Sequence, residues 1–369
     1  MRLSRRKFLK FSLCSGLLPF YNKLLFANTK FKSNSKSILI SIELRGGNDG
    51  LNTIIPFRDQ VYFSQRPNIA INEYLKLNSK LALNPFMRKL FPLWKERKLT
   101  FALGVGWPNI NRSHFKAMDQ WSTGDESGIG EGWLAKLSNS LENDQFLLSL
   151  GSTGSNSLIG SSVNTLHLIG NERKTNQKLN DLNNDIYQNR RVLEKFLKIE
   201  EFSNREINRI RNELQKLPTD IKIPRGKFSK QTEMALKVIN TKNPPTFMQM
   251  ELSGFDTHQN QLNKQNNKLK ELSENIYALK KGVEKLKENI DLNIIVTSEF
   301  GRRLKENGSL GTDHGSASIA LLIGDSFTDK FIGYYPDLNN LDSRGDLIPN
   351  LYPNNLYGYV TEKIWNKKY

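Results

Sequence analysis

The chain has a single cysteine, Cys14, among its 369 residues. Cys14 lies in an N-terminal segment that we expect to be removed on export. A mature chain without it has no disulfide and no thiolate, which excludes cysteine catalysis and metal ligation by cysteine. Histidine is also scarce, with four residues. Three of the four follow predicted strands, and that clustering favours a functional site.

The N-terminal apolar stretch is too short and too interrupted for a permanent membrane span. It runs from Phe11 to Phe26 and is broken by a proline, an asparagine and a lysine. The preceding SRRKFLK, residues 4–10, matches a twin-arginine export motif. The alternative is a basic start on an N-terminal anchor helix. We predict that residues 1–27 are a twin-arginine signal peptide, that the twin-arginine translocase exports the chain, and that the protein works in the periplasm or outside the cell.

Acidic residues are outnumbered, with 37 Asp and Glu against 54 Lys and Arg, a net charge of +17. Residues 1–27 carry six basic and no acidic residues, so their removal lowers the net charge to +11. The basic residues are spread along the chain, and no zinc-finger spacing or nucleic-acid motif accompanies them. We therefore expect that most basic side chains lie on a solvated surface and that the protein has no nucleic-acid partner. The second interpretation of the positive charge is that it serves an anionic substrate.

The chain is long enough for a large α/β domain, which we place at residues 28–369. Apolar runs predict strands at 37–44, 99–106, 246–252, 293–298 and 318–323. Leucine and isoleucine at helical spacing predict one long helix over 262–290. This helix packs across the sheet or forms a coiled-coil dimer, and the strand that follows at once favours packing. Residues 171–242 are charged, with helical spacing, and predict an inserted helical cap.

Several acids and histidines follow the predicted strands directly. Asp256 and His258 come after one strand, Glu299 after the next, and Asp313 and His314 lie in a glycine-flanked turn before the last. In a parallel sheet such strand ends meet at one edge. Asp and His side chains are ligands for divalent metals. The alternative for residues 256–258 is a surface loop with a capping Asp.

Two further positions have both a local and a functional interpretation. Asp49 lies in a Gly-Gly-Asn-Asp-Gly turn, where it presents a metal-ligating carboxylate or simply forms the turn. Ser113 precedes a predicted helix, where it is an N-cap or a nucleophile attacking an anionic ester. Arg302 and its neighbour Arg303 are anion clamps or ion pairs at a strand end, and the sequence favours neither.

These motifs, in this order, resemble the domain of unknown function 1501 family. The resemblance is carried by RRKFLK, RGGNDGLN, RSHF, GFDTH, TSEFGR and GTDHG, and it extends over residues 38–325. It implies membership of the alkaline phosphatase-like superfamily, which includes sulfatases and cofactor-independent phosphoglycerate mutases. The implied fold is α/β, a mostly parallel sheet flanked by helices with a helical cap insertion.

The resemblance also implies roles for individual residues. Ser113 would be the nucleophile and Arg302 would stabilise negative charge. The implied metal ligands are Asp49, Asp256, His258, Glu299, Asp313 and His314. Phe300 stands where the superfamily has a second metal-binding histidine, so the implied number of divalent ions is one or two. Zinc suits the Asp and His ligands, and manganese suits more oxygen ligands.

Two functions follow as expectations. The first is an exported, metal-dependent hydrolase of phosphate or sulfate esters, whose anionic substrate is carried on a polysaccharide or a lipid. A formylglycine sulfatase is excluded, because the mature chain has no cysteine and no Ser-x-Pro-x-Arg stretch. The second is a non-catalytic exported binding or assembly protein that retains a degenerate site. Metal content distinguishes the two.

Overall fold

A computed structural model of the protein has an eight-stranded sheet at its centre. The structure describes residues 35–108, 110–141, 146–151, 155–160, 163–168 and 190–369, with no side-chain description for 190–196. The predicted signal peptide, residues 1–27, lies outside the described residues. Residues Lys36–Tyr369 form one compact unit.

The strands are β1 (Lys36–Arg45), β2 (Ile54–Ile55), β3 (Leu75–Lys76), β4 (Ala82–Leu83), β5 (Leu99–Val105), β6 (Leu147–Ser149), β7 (Thr165–His167), β8 (Phe247–Ser253), β9 (Ile290–Ser298), β10 (Ser318–Ile323) and β11 (Phe331–Gly333). The large sheet has the order β11-β5-β10-β9-β1-β8-β6-β7, and β2-β4-β3 form a small second sheet. In the large sheet β10 is antiparallel to β5 and β9, and the other pairs are parallel. The prediction of a mostly parallel α/β sheet is confirmed.

The helices are α1 (Gly50–Thr53), α2 (Gln60–Gln65), α3 (Phe91–Lys95), α4 (His114–Thr123), α5 (Trp133–Ser140), α6 (Arg190–Glu213), α7 (Lys227–Ile239), α8 (Gln261–Leu286) and α9 (Pro353–Trp365), with a 3-10 helix at Pro85–Leu90. No helix among the described residues is both long and apolar enough to cross a membrane.

Helix α8 is the long amphipathic helix that the spacing predicts. Its buried Leu269, Ile276 and Leu279 share one apolar cluster with Ile38 and Ile40 of β1. The apolar face of α8 is therefore buried inside the chain, against the sheet. On the other face of the sheet, residues of α4, α5 and α9 form a second cluster with the buried strand residues on that face. The sheet is thus covered by helices on both faces, as a buried parallel sheet requires.

The predicted insertion at 171–242 is described from residue 190 onward. It contains α6 and α7, so the predicted helical content is present there. However, Phe228, Leu236 and Ile239 of α7 are buried in the main apolar cluster with β1 and α8. Helix α7 therefore packs in the core of the α/β body, and the extent of the cap stays a prediction.

Candidate metal centre

The loops after β1, β8 and β9 meet at one edge of the sheet, since the three strands are parallel neighbours. Two glycines allow the loops to approach closely. Gly46 has φ +116°, and a Cβ there would lie 2.2 Å from the backbone nitrogen of Asp256. Gly47 has φ +77°, and a Cβ there would lie 2.2 Å from the Phe300 ring. Only glycine fits both positions, which explains the Gly-Gly pair after β1.

Three histidines and one aspartate converge at this edge. Among the described residues, His114, Asp256 and His314 offer ligand atoms that all lie within 4.8 Å of one another. Nε2 of His258 is 2.9 Å from Nε2 of His314 and 3.1 Å from Oδ1 of Asp256. Nε2 of His314 is 3.2 Å from the same oxygen, and Nε2 of His114 is 3.6 Å from Oδ2 of Asp256. The predicted Asp256, His258 and His314 are thus brought together.

This arrangement of donor atoms fits a divalent cation. Zinc–nitrogen bonds of about 2.0–2.1 Å in a tetrahedral site place the ligand atoms about 3.3 Å apart. The separations between the Nε2 atoms of His258 and His314 and Oδ1 of Asp256 are 2.9–3.2 Å. Nitrogen and carboxylate donors without thiolates suit zinc or manganese.

Each histidine is oriented by an acceptor at its other ring nitrogen. Nδ1 of His114 lies 2.9 Å from Oε1 of Glu299. Nδ1 of His258 lies 3.4 Å from Oδ1 of Asp313, and Nδ1 of His314 lies 2.9 Å from the carbonyl oxygen of Arg112. These bonds place the proton on Nδ1 and leave Nε2 free to ligate. Glu299 and Asp313, predicted as metal ligands, contact Nδ1 of His114 and of His258 in this structure, and their ligation of a metal stays a prediction.

His114 is a candidate ligand that is not among the metal ligands predicted from the sequence. Its signal was the same as that of the other two histidines, because it follows a buried strand, β5, through a short loop. The Arg-Ser-His segment also begins helix α4, so the local pattern points to Ser113 as a cap or nucleophile and not to His114 as a ligand. The contact of His114 with Glu299 joins positions 185 residues apart, which no local pattern reveals.

The charge states of Asp256 and His314 suit metal ligation. Burial opposes ionisation of Asp256, but Arg302 and His314 lower its pKa to about 2. Burial lowers the pKa of His314, with further lowering from Arg302 and His114. The hydrogen bond to Glu299 raises the pKa of His114. Asp256 is therefore a carboxylate and His314 a neutral imidazole at neutral pH, the forms that bind metal.

Arg302 holds the loops of the centre together. Its side chain is fully buried. Nε donates to the carbonyl oxygen of Gly47, Nη1 to that of Thr312, and Nη2 to Oδ1 of Asp256 at 2.6 Å, as well as to the carbonyls of Gly46 and Phe255. All three nitrogens of this buried guanidinium are engaged by acceptors of the protein, and the role of Arg302 as an anion clamp stays a prediction.

Asp49 lies in a buried polar network apart from the histidines. Its Oδ2 accepts from Nη1 of Arg66 at 2.6 Å and from Nε2 of Gln261, and its Oδ1 accepts from Nη2 of Arg66 and from the backbone of Leu51. Both partners of the ion pair are fully buried. These bonds engage both oxygens of Asp49, and its predicted role as a metal ligand stays a prediction.

Ser113 precedes His114 in the sequence, and Phe300 packs against two histidines of the cluster. Ser113 has the backbone conformation of an N-cap for α4, but its side chain makes no capping hydrogen bond and is exposed. The fully buried Phe300 ring packs at 4.5 Å from the His314 ring and 5.1 Å from the His114 ring, between centroids. The cluster thus has an apolar side formed by Phe300, and the exposed Ser113 hydroxyl belongs to the residue before His114.

Comparisons with solved structures found similarity over most of the chain at low identity. The C-terminal periplasmic domain of EcEptC from Escherichia coli, in complex with zinc, is 10% identical with a TM-score of 0.44, covering 92% of this chain and 85% of that one. The soluble domain of lipooligosaccharide phosphoethanolamine transferase A from Neisseria meningitidis is 11% identical with a TM-score of 0.38, covering 79% and 78%. TAB5 alkaline phosphatase is 10% identical with a TM-score of 0.38, covering 91% and 99%.

A comparison with curated protein sequences found no match. The comparison with family models did find one, and it extends over residues 106–326, more than half of the chain. This range includes α4 with His114, the loop with Asp256 and His258, and the turn with His314. The chain belongs to the family described as protein of unknown function (DUF1501).

Proposed function

We propose that the protein is a metal-dependent hydrolase of phosphate or sulfate esters, with one divalent ion held by His114, Asp256, His258 and His314. The observation that supports it most directly is the shared orientation of the three imidazoles. Each Nδ1 is engaged by an acceptor, and each Nε2 lies within 3.6 Å of an oxygen of Asp256. A packing role for the histidines does not require this common arrangement.

A bound divalent ion would supply charge stabilisation on the ester oxygens and a lowered pKa for a coordinated hydroxyl or water. The chain itself supplies the rest of the site. The exposed hydroxyl of Ser113, next to His114 in sequence, is the candidate nucleophile. Arg302 holds Asp256 in its ionised form through a buried hydrogen bond. Phe300 closes the inner side of the cluster, so we propose one ion rather than two.

The test is elemental analysis of the exported protein, purified without chelator or histidine tag. We expect about one equivalent of zinc or manganese per chain, and loss of that metal in His258→Ala. His167→Ala is the matched control, because His167 is the one histidine outside the cluster and is exposed. The loaded protein should hydrolyse an aryl phosphate or an aryl sulfate, and Ser113→Ala should lose this activity while it retains the metal.

A protein that contains no metal and takes up none on addition would contradict the hydrolase proposal. It would leave the second expectation, a non-catalytic exported binding protein with a degenerate site. Metal uptake without hydrolysis of either ester class would keep the metal site and contradict the proposed reaction.

We further propose that the twin-arginine translocase exports the folded protein to the periplasm or beyond it. The support is the SRRKFLK motif ahead of an interrupted apolar stretch. Replacing Arg5 and Arg6 together by lysine should keep the full-length protein in the cytoplasm, as measured by fractionation. Unchanged export of the lysine variant would contradict the proposal.

A further inference from the structure

Three arginines surround one buried aspartate beside the candidate metal centre. Nε of Arg112 lies 3.1 Å from Oδ2 of Asp346, and its Nη2 contacts the same oxygen. Nε of Arg303 lies 3.4 Å from Oδ1 of Asp346, and Nε of Arg344 lies 3.9 Å from Oδ2. The Asp346 side chain is fully buried. We call Arg112, Arg303 and Arg344 the arginine cluster.

The arginine cluster carries more positive charge than its own carboxylates balance. Besides Asp346, the carboxylate paired with these arginines is Asp342, 3.4 Å from Nε of Arg344. In direct ion pairs, three guanidinium groups face two carboxylates, and the carboxylate of Asp313 interacts with Arg303 at longer range. An uncompensated guanidinium next to two others attracts an anion.

The same arginines retain unused hydrogen-bond donors. Within the part of the chain that the structure describes, no acceptor bonds to Nη1 of Arg112 or Nη1 of Arg303. Nε of Arg303 and Oδ1 of Asp346 are buried and form an ion pair without a hydrogen bond. The side chains of Arg112, Arg303 and Arg344 are 29%, 35% and 38% exposed, so an incoming group can reach them.

The arginine cluster adjoins the metal centre through two hydrogen bonds to its main-chain atoms. The carbonyl oxygen of Arg112 accepts from Nδ1 of His314 at 2.9 Å. The backbone nitrogen of Arg303 donates to the carbonyl oxygen of Asp313 at 3.0 Å. The main chain of Arg112 and of Arg303 therefore borders the loop that carries Asp313 and His314.

We infer that the arginine cluster is an anion-binding subsite, distinct from the metal ligands, that receives a second oxyanion of the substrate. The substrate class is then an ester whose leaving group carries its own phosphate, sulfate or carboxylate. Planar guanidinium groups bind such oxyanions through paired, charge-assisted hydrogen bonds. The assignment of the oxyanion to a substrate rests on the proposed function, whereas anion binding by the cluster does not require a metal.

Calorimetric titration of the metal-free full chain tests the subsite without any assay of activity. After chelator treatment and dialysis, the protein is titrated with inorganic phosphate and with pyrophosphate at low salt. We expect binding by the unmodified chain and a loss of affinity of about tenfold or more in Arg303→Gln and in Arg344→Gln, since each removes a charge-assisted contact. Arg303→Lys should recover part of the affinity, because it restores the charge without the planar donors.

The matched control is Arg205→Gln, which removes the same charge from an arginine of α6 that is 67% exposed. It should bind phosphate as the unmodified chain does. Thermal unfolding of each variant establishes that it is folded. Equal affinity in all variants would overturn the subsite, since it would mean binding by net charge alone. Binding that appears only after zinc is added would also overturn it and would assign the anion to the metal centre.

Kinetics with the metal-loaded protein then test the substrate class. Arg344→Gln should raise KM for an ester with a charged leaving group, with little change in kcat and little change for an ester with a neutral leaving group. Equal effects on both esters would overturn the assignment of the second oxyanion. A protein that binds phosphate at the arginine cluster without hydrolysing either ester would retain the subsite and contradict the proposed function.

Discussion

The acceptors at Nδ1 give each histidine of the centre its orientation. A glutamate, an aspartate and a backbone carbonyl perform this task for His114, His258 and His314, respectively. Carboxylates behind metal-binding imidazoles fix the tautomer and increase the basicity of the ligand. Glu299 is the more buried of the two carboxylates, with a side chain that is 3% exposed. Water therefore screens its electrostatic interaction with His114 less than that of Asp313 with His258.

Glu299→Gln should lower the affinity for zinc about 10–100-fold, because it removes the carboxylate behind His114 and keeps the shape of the side chain. Competition with a zinc-binding dye measures the affinity. Glu73→Gln, at an exposed position, is the control and should leave it unchanged. An unchanged affinity in Glu299→Gln would contradict the orienting role.

Asp49→Asn should destabilise the fold by about 3–5 kcal/mol, because it leaves the fully buried Arg66 without its ionic partner. Urea unfolding measures this loss. Asp220→Asn, which breaks an exposed ion pair with Lys285, should change stability far less, because water screens the pair. The metal content of Asp49→Asn should match that of the unmodified protein. Loss of metal from Asp49→Asn at unchanged stability would instead support Asp49 as a metal ligand.

Helix α8 contributes to stability through the face that it buries against the sheet. Leu279→Ala, at a fully buried position of that face, should lower the free energy of unfolding by about 2–5 kcal/mol because it leaves a cavity. Leu197→Ala, at a position of α6 that is 44% exposed, should change it by about 0.5 kcal/mol or less. Denaturant titration followed by circular dichroism measures both.

The alternative for α8, a coiled-coil dimer, makes a different prediction. In a dimer stabilised through this face, the unfolding midpoint would rise with protein concentration. Because the apolar residues of α8 already pack in the cluster that includes β1, we expect a midpoint that does not depend on concentration. A strong dependence would contradict the packing described here.

Ion pairs at the end of the sheet opposite the metal centre affect how the fold responds to acid. Burial opposes ionisation of Asp325, but Lys280 and Lys98 lower its pKa below the ordinary 3.8. Between the lowered pKa of folded Asp325 and the ordinary pKa of the unfolded chain, the unfolded chain binds more protons than the folded chain. Stability therefore falls as pH falls through this range. The contribution of Asp325 is complete above its unfolded pKa and is lost as pH falls through the lowered folded value.

Urea unfolding from about pH 5 downward measures this dependence. Asp325→Asn should be less stable than the unmodified protein at the upper end of the range and should converge with it at the lower end. A constant difference between the two proteins across the range would contradict the role of the ion pair.

The order and type of the main elements follow from local patterns in the sequence. Continuous apolar runs predict β1, β5, β8, β9 and β10, and helical spacing predicts α8, because burial and backbone periodicity constrain side chains only a few residues apart. The same patterns place Asp256, His258 and His314 at the ends of strands. Parallel neighbours then bring those ends to one edge, so this part of the centre is predictable before any contact is known.

The roles of the remaining residues depend on contacts between distant parts of the chain. Arg66 gives no local sign that it pairs with Asp49, and His114 meets Glu299 across 185 positions. The sequence does not distinguish a carboxylate that ligates a metal beside a histidine from one that orients the histidine through Nδ1. Their roles separate only when the loops pack, because a hydrogen bond requires atoms about 3 Å apart and that distance is set by the sheet and not by the spacing along the chain.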